Sequence, residues 1–504
     1  MDQANSARQF QERGFVALLC VLAAIHVFVF STAFPFFNDV DEPEHFDLVV
    51  RYSHGQIPRG MENYSAESSG YLALYSSCAY LGTAAMFPGG QFPPPAWTLP
   101  VETAQHELAL EASAWQQQIN DEAWQPPLYY AVGAIWWHLG QLFGFKNGYL
   151  LYWLRFLDIG VVIGVVLLGY TAARMVFPEN RFIQLGVPSI LAFMPQSAFY
   201  SIETDALSPL CFGALFVCLL QWLRQEVPDW RLGVMTGLAF AATYLTKLTN
   251  LSVLAVALAV VAYKLGEWFR TGKIAPAQPA LAGFGLCAAI PVGTWMAWCK
   301  SNFGDLTGGK MEMACVGWTY KPFLQWWNHP IFTPSGFWTF LSELIRTFWR
   351  GEFLWHDKPM ASPMLNAIYL SMTIGFVLCA LVAMIPGTRA CSPMASFQRQ
   401  GLYLSLACIT AAVAFCGFLS IIYDFHNFSN PSREHPYFSF GRFLLSALVP
   451  FILLFVFGID RGLNRFGNVA KYGALVAIIL FMVVGEIVTN LPAFSNPYNW
   501  WHLP

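Results

Sequence analysis

Long apolar segments alternate with short polar connections along most of the chain. Each segment approaches the roughly 20 residues that a helix needs to cross the hydrocarbon core of a membrane. The apolar runs are continuous, which favours helices over the alternating ten-residue strands of a membrane barrel. The pattern predicts eleven membrane spans, at residues 14–34, 150–173, 182–200, 205–224, 231–246, 249–270, 279–300, 362–386, 400–423, 441–459 and 471–490.

Segment 126–145 is a possible twelfth span, and the basic residues decide how it is interpreted. If it does not cross, Arg8 and Arg13 share a side with nearly every short basic connection, as the positive-inside rule requires of the cytoplasmic face. If it crosses, the later basic connections move outside. We therefore predict a helix in the outer interface, at a depth that suits Trp136 and Trp137. The N-terminus is then cytoplasmic.

Composition agrees with a chain that folds in a lipid bilayer. Of its 504 residues, 56% are hydrophobic and 11% are charged, against about 25% charged residues in soluble domains. A net charge of −3 without a basic stripe gives no indication of nucleic-acid binding. The predicted fold is an all-α polytopic helical bundle, whose long outer loops cover residues 35–125 and 301–360.

The first outer loop opens with five carboxylates within residues 39–47. Pro43 suits the start of a helix capped by Glu42, and apolar residues follow at helical spacing. We expect a short amphipathic helix along the membrane surface, with Asp41 and Glu42 where the first span meets water. A carboxylate there can act as a general base. The alternative is a solvated acidic cap that the helix dipole favours.

A second acidic position follows the span 182–200, where Glu203 and Asp205 reach the same outer face. Either Thr204 or Asp205 can also be the N-cap of the next span. Capping and a role in chemistry are both compatible with the pattern.

Two cations lie at outer span ends, against the general distribution of positive charge. Lys247 lies in a tight connection and Arg442 opens a span. Such cations can form charge-assisted hydrogen bonds with a lipid phosphate. The alternative is a side chain that snorkels to lipid headgroups. A third, shorter outer loop is predicted from Asp424 to Gly441, and its polar candidates are Arg433, His435 and Tyr437.

Five motifs in order carry a resemblance to a known superfamily. They are Asp41-Glu42-x-x-His45-Phe46, Gln125-Pro126-Pro127-Leu128-Tyr129-Tyr130, Thr204-Asp205-Ala206-Leu207, Lys247 and Gly441-Arg442-Phe443-Leu444-Leu445. In this order the chain resembles the GT-C superfamily of membrane glycosyltransferases, which includes protein O-mannosyltransferases, aminoarabinose transferases of lipid A and oligosaccharyltransferases. It is most similar to a bacterial branch of polysaccharide-associated members.

The resemblance implies an inverting glycosyltransferase of the cell inner membrane. The donor would be a sugar on polyprenyl phosphate, and the acceptor an extracytoplasmic lipid-linked glycan, polysaccharide or protein. The resemblance also implies a catalytic module at residues 1–300, an outer loop at 301–361 and further spans at 362–504. Some members need a divalent cation such as Mg or Mn and others do not, so the cofactor and any metal ligands stay open.

The resemblance also implies roles for individual residues. Asp41 is the expected base, with Asp39 and Glu42 as rivals. Asp205, together with Glu203 and His45, is expected to position the acceptor or a metal. The donor phosphate is expected to contact Lys247, Arg442, Arg433, His435 and Tyr437.

Two other functions remain open. A lipid-linked glycan flippase or transporter would need polar groups through the full membrane depth, whereas the candidate residues gather at one face. A glycan polymerase or ligase would share the chemistry and differ only in its donor.

Overall fold

The computed structural model describes residues 2–385, 394–426, 428 and 430–504. The described residues form 18 α-helices and four two-residue strands. The first nine helices are α1 Asp2–Ala33, α2 Glu42–Ser53, α3 Ala66–Tyr75, α4 Val101–Gln116, α5 Leu128–Leu142, α6 Asn147–Arg155, α7 Leu157–Val176, α8 Arg181–Ala192 and α9 Ser208–Arg224. Three of the first nine helices, α2 to α4, lie within the first outer loop.

The second half of the chain adds nine helices and all the strands. Strand β1 pairs with β4, and β2 with β3, both antiparallel. The elements are α10 Trp230–Thr246, α11 Leu251–Thr271, α12 Ile274–Asn302, α13 Gly309–Val316, β1 Thr319–Tyr320, α14 Pro334–Arg350, β2 Leu354–Trp355, β3 Lys358–Pro359, α15 Pro363–Met384, α16 Ser396–Ile422, β4 Tyr423–Asp424, α17 Leu448–Gly462 and α18 Gly467–Phe494.

Nine helical segments in the described part of the chain are long and apolar enough to cross a membrane. They coincide with nine of the eleven predicted spans, and the protein is a multi-pass helical membrane protein. Residue 386, the end of one predicted span, lies outside the described residues. The segments are Phe10–Ala33, Asn147–Val176, Thr204–Arg224, Leu248–Thr271, Ile274–Asn302, Pro363–Met384, Ser396–Ile422, Gly441–Gly462 and Asn464–Phe494.

The other two predicted spans are shorter helices. Helix α8 has 12 residues and α10 has 17. Proline explains the early end of α8, because the ring of Pro195 disfavours the helical conformation of the residue before it. The chain then continues through irregular turns to Thr204, and residues of this segment are buried against neighbouring helices. The predicted span 182–200 is therefore helical over only part of its length.

Close helix packing places α10 against α12. A Cβ atom at Gly233 would overlap the backbone carbonyl of Ala280, and one at Gly237 would overlap that of Phe284. Glycines four residues apart lie on one helix face and let two backbones approach within the membrane. This packing holds the first half of α10 against α12, and Lys247 follows the last residue of α10.

Helix α2 is buried, in contrast to the predicted surface helix. Its polar residues are paired inside the protein: Arg51 Nε donates to Asp47 Oδ2 at 2.8 Å, and Asp47 Oδ1 accepts from the backbone of Ser65 at 2.9 Å. Helix α5 covers another side, and a Cβ at Gly133 would meet Val49. Asp47 and Arg51 of α2 thus satisfy each other inside the protein, which the helical pattern alone did not indicate.

Helix α5, within the doubtful segment 126–145, has 15 residues and is shorter than a typical span. It is fixed by a reciprocal contact with α6. The rings of Trp136 and Trp153 stack with centroids 4.5 Å apart, and each indole nitrogen donates to the other residue's carbonyl oxygen at 2.7 and 2.8 Å. Its position in the outer interface stays a prediction.

A buried ion pair connects the first outer loop to the bundle. Arg155 donates from Nε and Nη2 to the two oxygens of Glu42, each at 2.8 Å, and both side chains are at most 1% exposed. Glu42 also accepts from the backbone nitrogens of Phe37 and Ile202. Arg155 in turn donates to the carbonyl of Phe34 at 2.7 Å. The pair therefore holds together the end of α1, the start of α2 and the segment before α9.

We predict that Glu42→Gln destabilises the protein by about 3–5 kcal/mol, because it leaves the Arg155 charge buried and uncompensated. The apparent melting temperature in detergent measures the loss. The matched control is Glu62→Gln, since Glu62 also pairs with an arginine, Arg51, but its side chain is 44% exposed. The control should lose less than about 1 kcal/mol. Equal losses in the two variants would contradict the prediction.

Candidate functional site

A cavity of about 900 Å³ lies at the end of the bundle where the long loops meet. Its wall combines residues from the three loops that were predicted to lie outside with the ends of several spans on the same side of the bundle. Charged residues line it beside apolar ones, as is typical of a ligand site. The charged and ionisable lining residues are Asp41, Asp121, Glu122, Lys247, Glu312, Glu343, Arg346, Arg350, Glu352, His435 and Arg442.

Arg442 forms the centre of the charged network. Its Nη2 donates to Asp41 Oδ2 at 2.6 Å, and its Nε lies 3.5 Å from Glu352 Oε2. Asp205 Oδ2 is 3.8 Å from the same Nε, and Glu203 Oε1 is 4.0 Å from Nη1. Four carboxylates from three distant parts of the chain therefore converge on one guanidinium.

Lys247 adds a second cation beside this network. Its Nζ lies 2.5 Å from Asp205 Oδ2 and 4.8 Å from the centre of the Phe443 ring. Lys247 ends α10 in an extended conformation, while Asp205 lies in the short 3-10 turn that opens the next span. Asp205 itself lies behind the cavity wall, where it bridges the two cations.

Asp41 presents its carboxylate to the cavity from an unusual backbone conformation. It is the residue before α2 and has φ 64°, in the left-handed region that aspartate and asparagine tolerate better than most residues. Its side chain is 28% exposed. Burial acts to raise the pKa of Asp41, but the nearby Arg442 guanidinium and the Lys247 ammonium outweigh it and hold the pKa below its ordinary value.

The other predicted acids of this region lie behind the wall. Asp39 is buried, with Ser201 Oγ at 3.3 Å from its Oδ2, and burial together with Glu352 raises its pKa to about 7. Burial and the neighbouring Asp39 raise the pKa of Glu203 well above its ordinary value. Glu42 is fully bound by Arg155 and backbone nitrogens. These contacts indicate that the three acids support the wall of the site and do not contact a ligand.

His45 is also buried behind the wall. Its Nδ1 lies 2.9 Å from the Tyr130 hydroxyl, and its Nε2 is without a hydrogen-bond partner among the described residues. Burial, with the positive charges of Lys247 and Arg442, lowers the pKa of His45 to about 3, so its ring is neutral at physiological pH. A neutral, enclosed imidazole cannot contribute positive charge to the site.

The three predicted residues of the third outer loop lie apart from the two cations. Arg433 pairs with Asp424 at 2.9 Å and is largely exposed. Tyr437 is buried against His329. His435 does line the cavity, but its Nε2 pairs with Glu343 at 2.8 Å. The structure therefore separates Arg433 and Tyr437 from the Lys247 and Arg442 cluster that they were expected to join.

Several cavity residues had no motif in the sequence. Glu352 follows α14 directly and reaches Arg442; burial raises its pKa, while Arg442 acts in the opposite direction. Arg346 and Arg350 lie on α14 itself, whose opposite face buries Phe340, Leu344 and Phe348. The helical spacing of these buried and charged positions within residues 334–350 was the available signal.

A further part of the wall is acidic. Burial, with Asp121 and Asp41, raises the pKa of Glu312 to about 8. Burial and Asp41 raise the pKa of Asp121 to about 6 and that of Glu122 well above its ordinary value. These side chains repel one another in a poorly hydrated space, so protons are bound more tightly there.

Metal binding was left open by the resemblance. Among the described residues, no group of three or more His, Cys, Asp or Glu side chains is arranged to hold a metal ion. Asp41 and Asp205 instead pair with Arg442 and Lys247. The residues present fit a network of ion pairs better than a metal centre.

The fold and cavity define a multi-pass helical membrane protein with a charged cavity at one end of its bundle. The sequence matches the family described as "Predicted membrane protein (DUF2142)" over residues 22–424, and the chain belongs to this family. A comparison with curated proteins gave no match.

Among solved structures, the chain is similar to the archaeal oligosaccharyltransferase AglB from Archaeoglobus fulgidus in complex with an inhibitory peptide and a dolichol-phosphate. The identity is 11% and the TM-score 0.45, over 97% of this chain and 56% of that chain. The apo form of the Archaeoglobus fulgidus oligosaccharyltransferase gives 11% identity and a TM-score of 0.41, over 96% of this chain and 56% of that one. The chain thus spans little more than half the length of these proteins.

We predict that Glu312→Gln makes the protein less sensitive to alkaline pH. The folded-state pKa of Glu312 is raised, to about 8, so its deprotonation opposes folding and stability falls as pH rises from its ordinary value through about 8. The variant should gain at least about 1.4 kcal/mol, the equivalent of one pKa unit, at pH 9 and little at pH 4.

Melting temperatures measured across this pH range test the prediction. Glu102→Gln is the control, because Glu102 is exposed in the first turn of α4. A gain that is independent of pH, or one that the control shares, would contradict the explanation.

Proposed function

We propose that the protein is an inverting glycosyltransferase of the GT-C type, which uses a polyprenyl-phosphate-linked sugar as its donor. The observation that carries the proposal is the meeting of the partly exposed Asp41 carboxylate with two cations at a single cavity. Asp41, Lys247 and Arg442 are more than 190 residues apart in sequence, yet they line the same space. Glycosyl transfer of this kind needs a base and a stabilised anionic leaving group.

The proposed reaction is a single displacement at the anomeric carbon. The acceptor oxygen attacks, its proton passes to the Asp41 carboxylate, and the bond between the anomeric carbon and the phosphate oxygen breaks. Lys247 and Arg442 stabilise the negative charge that develops on the departing phosphate. The lowered pKa of Asp41 supports its part, since the carboxylate is ionised and able to accept a proton at neutral pH.

The same wall supports a lipid-linked donor. Leu251 belongs to the start of one span, and Phe415 and Leu419 belong to another, and all three line the cavity with the charged residues. A ligand with a polar head and an apolar chain would contact both kinds of surface. The acceptor is a glycan or a protein of the extracytoplasmic space; a polymerase or ligase would use the same chemistry with a larger donor.

We further propose eleven crossings, with the cavity outside a bacterial inner membrane and the N-terminus in the cytoplasm. At one end of α8, Asn180 Nδ2 donates to Asp460 Oδ2, and beyond its other end the backbone of Ile202 donates to Glu42. Helix α8 and the irregular segment after it thus run the length of the bundle. The cavity uses residues from all three predicted segments, 1–300, 301–361 and 362–504, so the whole chain would form one catalytic unit.

A lipid-linked glycan flippase is the second candidate. The observation in its favour is a polar cluster within the spans, where His26 Nε2 lies 2.7 Å from Glu486 and the Tyr200 hydroxyl donates to Glu486 at 2.7 Å. Intramembrane ionisable groups often have functional roles. Movement of labelled lipid-linked sugar across reconstituted liposomes, without formation of a glycosidic bond, would favour this candidate.

We predict that Asp41→Asn lowers transfer by at least about 100-fold, the usual contribution of a general base. Asparagine preserves the shape of the side chain and tolerates the left-handed backbone, so the variant should fold. Mass spectrometry of lipid that co-purifies with the protein first identifies the donor class. Transfer from that lipid by purified, reconstituted protein then measures the effect.

Asp357→Asn is the matched control. Asp357 is also an outer-loop aspartate with positive φ, 59°, but it is exposed and lies outside the cavity wall. The control should transfer sugar at the rate of the unmodified protein. Full activity of the Asp41 variant would rule out Asp41 as the base, and the absence of any bound polyprenyl phosphate would count against the proposed donor.

A further inference from the structure

Two arginines on α14 line the cavity without an ion pair to any described residue. Arg346 and Arg350 are four residues apart, which places them on the same face of the helix. Among the described residues, no carboxylate oxygen lies within 4.0 Å of a nitrogen of either guanidinium. The Nε atoms of both are buried without a hydrogen-bond partner. The one hydrogen bond seen for Arg350 runs from Nη1 to the carbonyl of Gly351, at 3.0 Å.

The other two cations of the cavity are in the opposite situation. Lys247 is paired with Asp205 at 2.5 Å, and Arg442 is surrounded by Asp41, Glu352 and two further carboxylates. Their positive charge is therefore largely compensated by the protein itself. Neither α14 arginine has an ion pair of this kind among the described residues, although Glu352 acts on Arg350 electrostatically, so the least compensated positive charge of this cavity lies on α14.

The nearest acid on α14 already has other hydrogen-bond partners. Glu343 lies three residues before Arg346, but its Oε2 accepts from the Ser439 hydroxyl at 3.0 Å and contacts His435 Nε2 at 2.8 Å. Burial lowers the pKa of Arg350; Glu352 acts in the opposite direction, and Arg346 acts in the same direction as burial. Two adjacent guanidinium groups with unpaired donors are costly to keep unless a ligand accepts their hydrogen bonds.

We propose that Arg346 and Arg350 bind the phosphate group of a lipid-linked ligand, a role that rests on the proposed glycosyltransferase function and specifies the donor's contacts. A phosphate carries several acceptor oxygens and matches the planar guanidinium fork. The lipid link follows from the remaining lining. Leu251, Phe415 and Leu419 come from membrane spans, so the ligand must satisfy apolar surface as well as the two arginines.

In this proposal the four cations of the cavity have two different roles. Arg346 and Arg350 hold the phosphate in the ground state, because their donors are free to do so. Lys247 and Arg442, which already pair with carboxylates, stabilise the further charge that develops on that phosphate when its bond to the sugar breaks. Loss of an α14 arginine should therefore weaken lipid binding more than it slows the chemical step.

Binding to protein in nanodiscs tests the inference, with a polyprenyl monophosphate as the probe. Arg346→Gln and Arg350→Gln should each weaken binding about tenfold, the effect of losing one charge-assisted hydrogen bond. The lysine variants at the same positions should retain more affinity than the glutamine variants, because the charge remains. The control is Arg59→Gln, an exposed arginine of the first outer loop, which should bind like the unmodified protein.

The transfer assay separates this inference from the proposed function. At saturating lipid the glutamine variants should keep most of their turnover, with the defect confined to the concentration of lipid required. Unchanged lipid affinity in both glutamine variants would overturn the role of α14 while leaving the glycosyltransferase proposal in place. Failure of the unmodified protein to bind polyprenyl phosphate would overturn both.

A competition arm identifies the source of the phosphate. Inorganic phosphate should displace the lipid only at concentrations far above the dissociation constant of the lipid, because it makes no apolar contacts. If inorganic phosphate bound as tightly as the lipid, and lost affinity equally in the variants, the site would serve a soluble phosphate and the lipid assignment would be wrong. If a glutamine variant failed to fold, the lysine variants would be measured instead. Lipid affinity in the lysine variants as high as in the Arg59→Gln control would overturn the role of the guanidinium forks.

Discussion

The positive charge of Arg442 is the constraint on which the arrangement of the cavity depends. Asp41, Glu203, Asp205 and Glu352 all approach it, and they come from the first outer loop, the segment before α9 and the residues after α14. Without that charge, four carboxylates would face one another in a poorly hydrated space. The outer loops are thus held to the bundle by electrostatics at the point where the proposed chemistry takes place.

The span pattern could be predicted because continuous apolar length is a local property of the sequence. The predictions were less complete where distant residues decide the outcome. Helix α8 ends early, since proline chemistry overrides the apolar run, and α2 is buried because Arg155 supplies a counter-charge to Glu42 from 113 residues away. An amphipathic pattern indicates a helix with two faces, but it does not say whether water or another helix covers the polar face.

The site residues also differ in whether local sequence or contacts between distant residues identify them. Asp41, Lys247 and Arg442 could be proposed because charges beside apolar spans stand out against their surroundings, and the structure places them together. Their catalytic and binding roles stay proposals. Arg346 and Arg350 lie in a loop region rich in other polar residues, so only the helical spacing of α14 distinguished them, and their position relative to Arg442 depends on tertiary packing.

At Gly441 the backbone before Arg442 contacts α14 directly. A Cβ atom at this position would overlap the backbone of Phe348 and Thr347, and the Gly441 nitrogen donates to Thr347 Oγ1 at 2.8 Å. The backbone that carries Arg442 therefore rests directly on α14, without a side chain between them to absorb movement. A displacement of α14 by an incoming anion would be transmitted to Arg442 and so to Asp41. Ligand binding at α14 and the position of the proposed base would then be linked through a rigid contact.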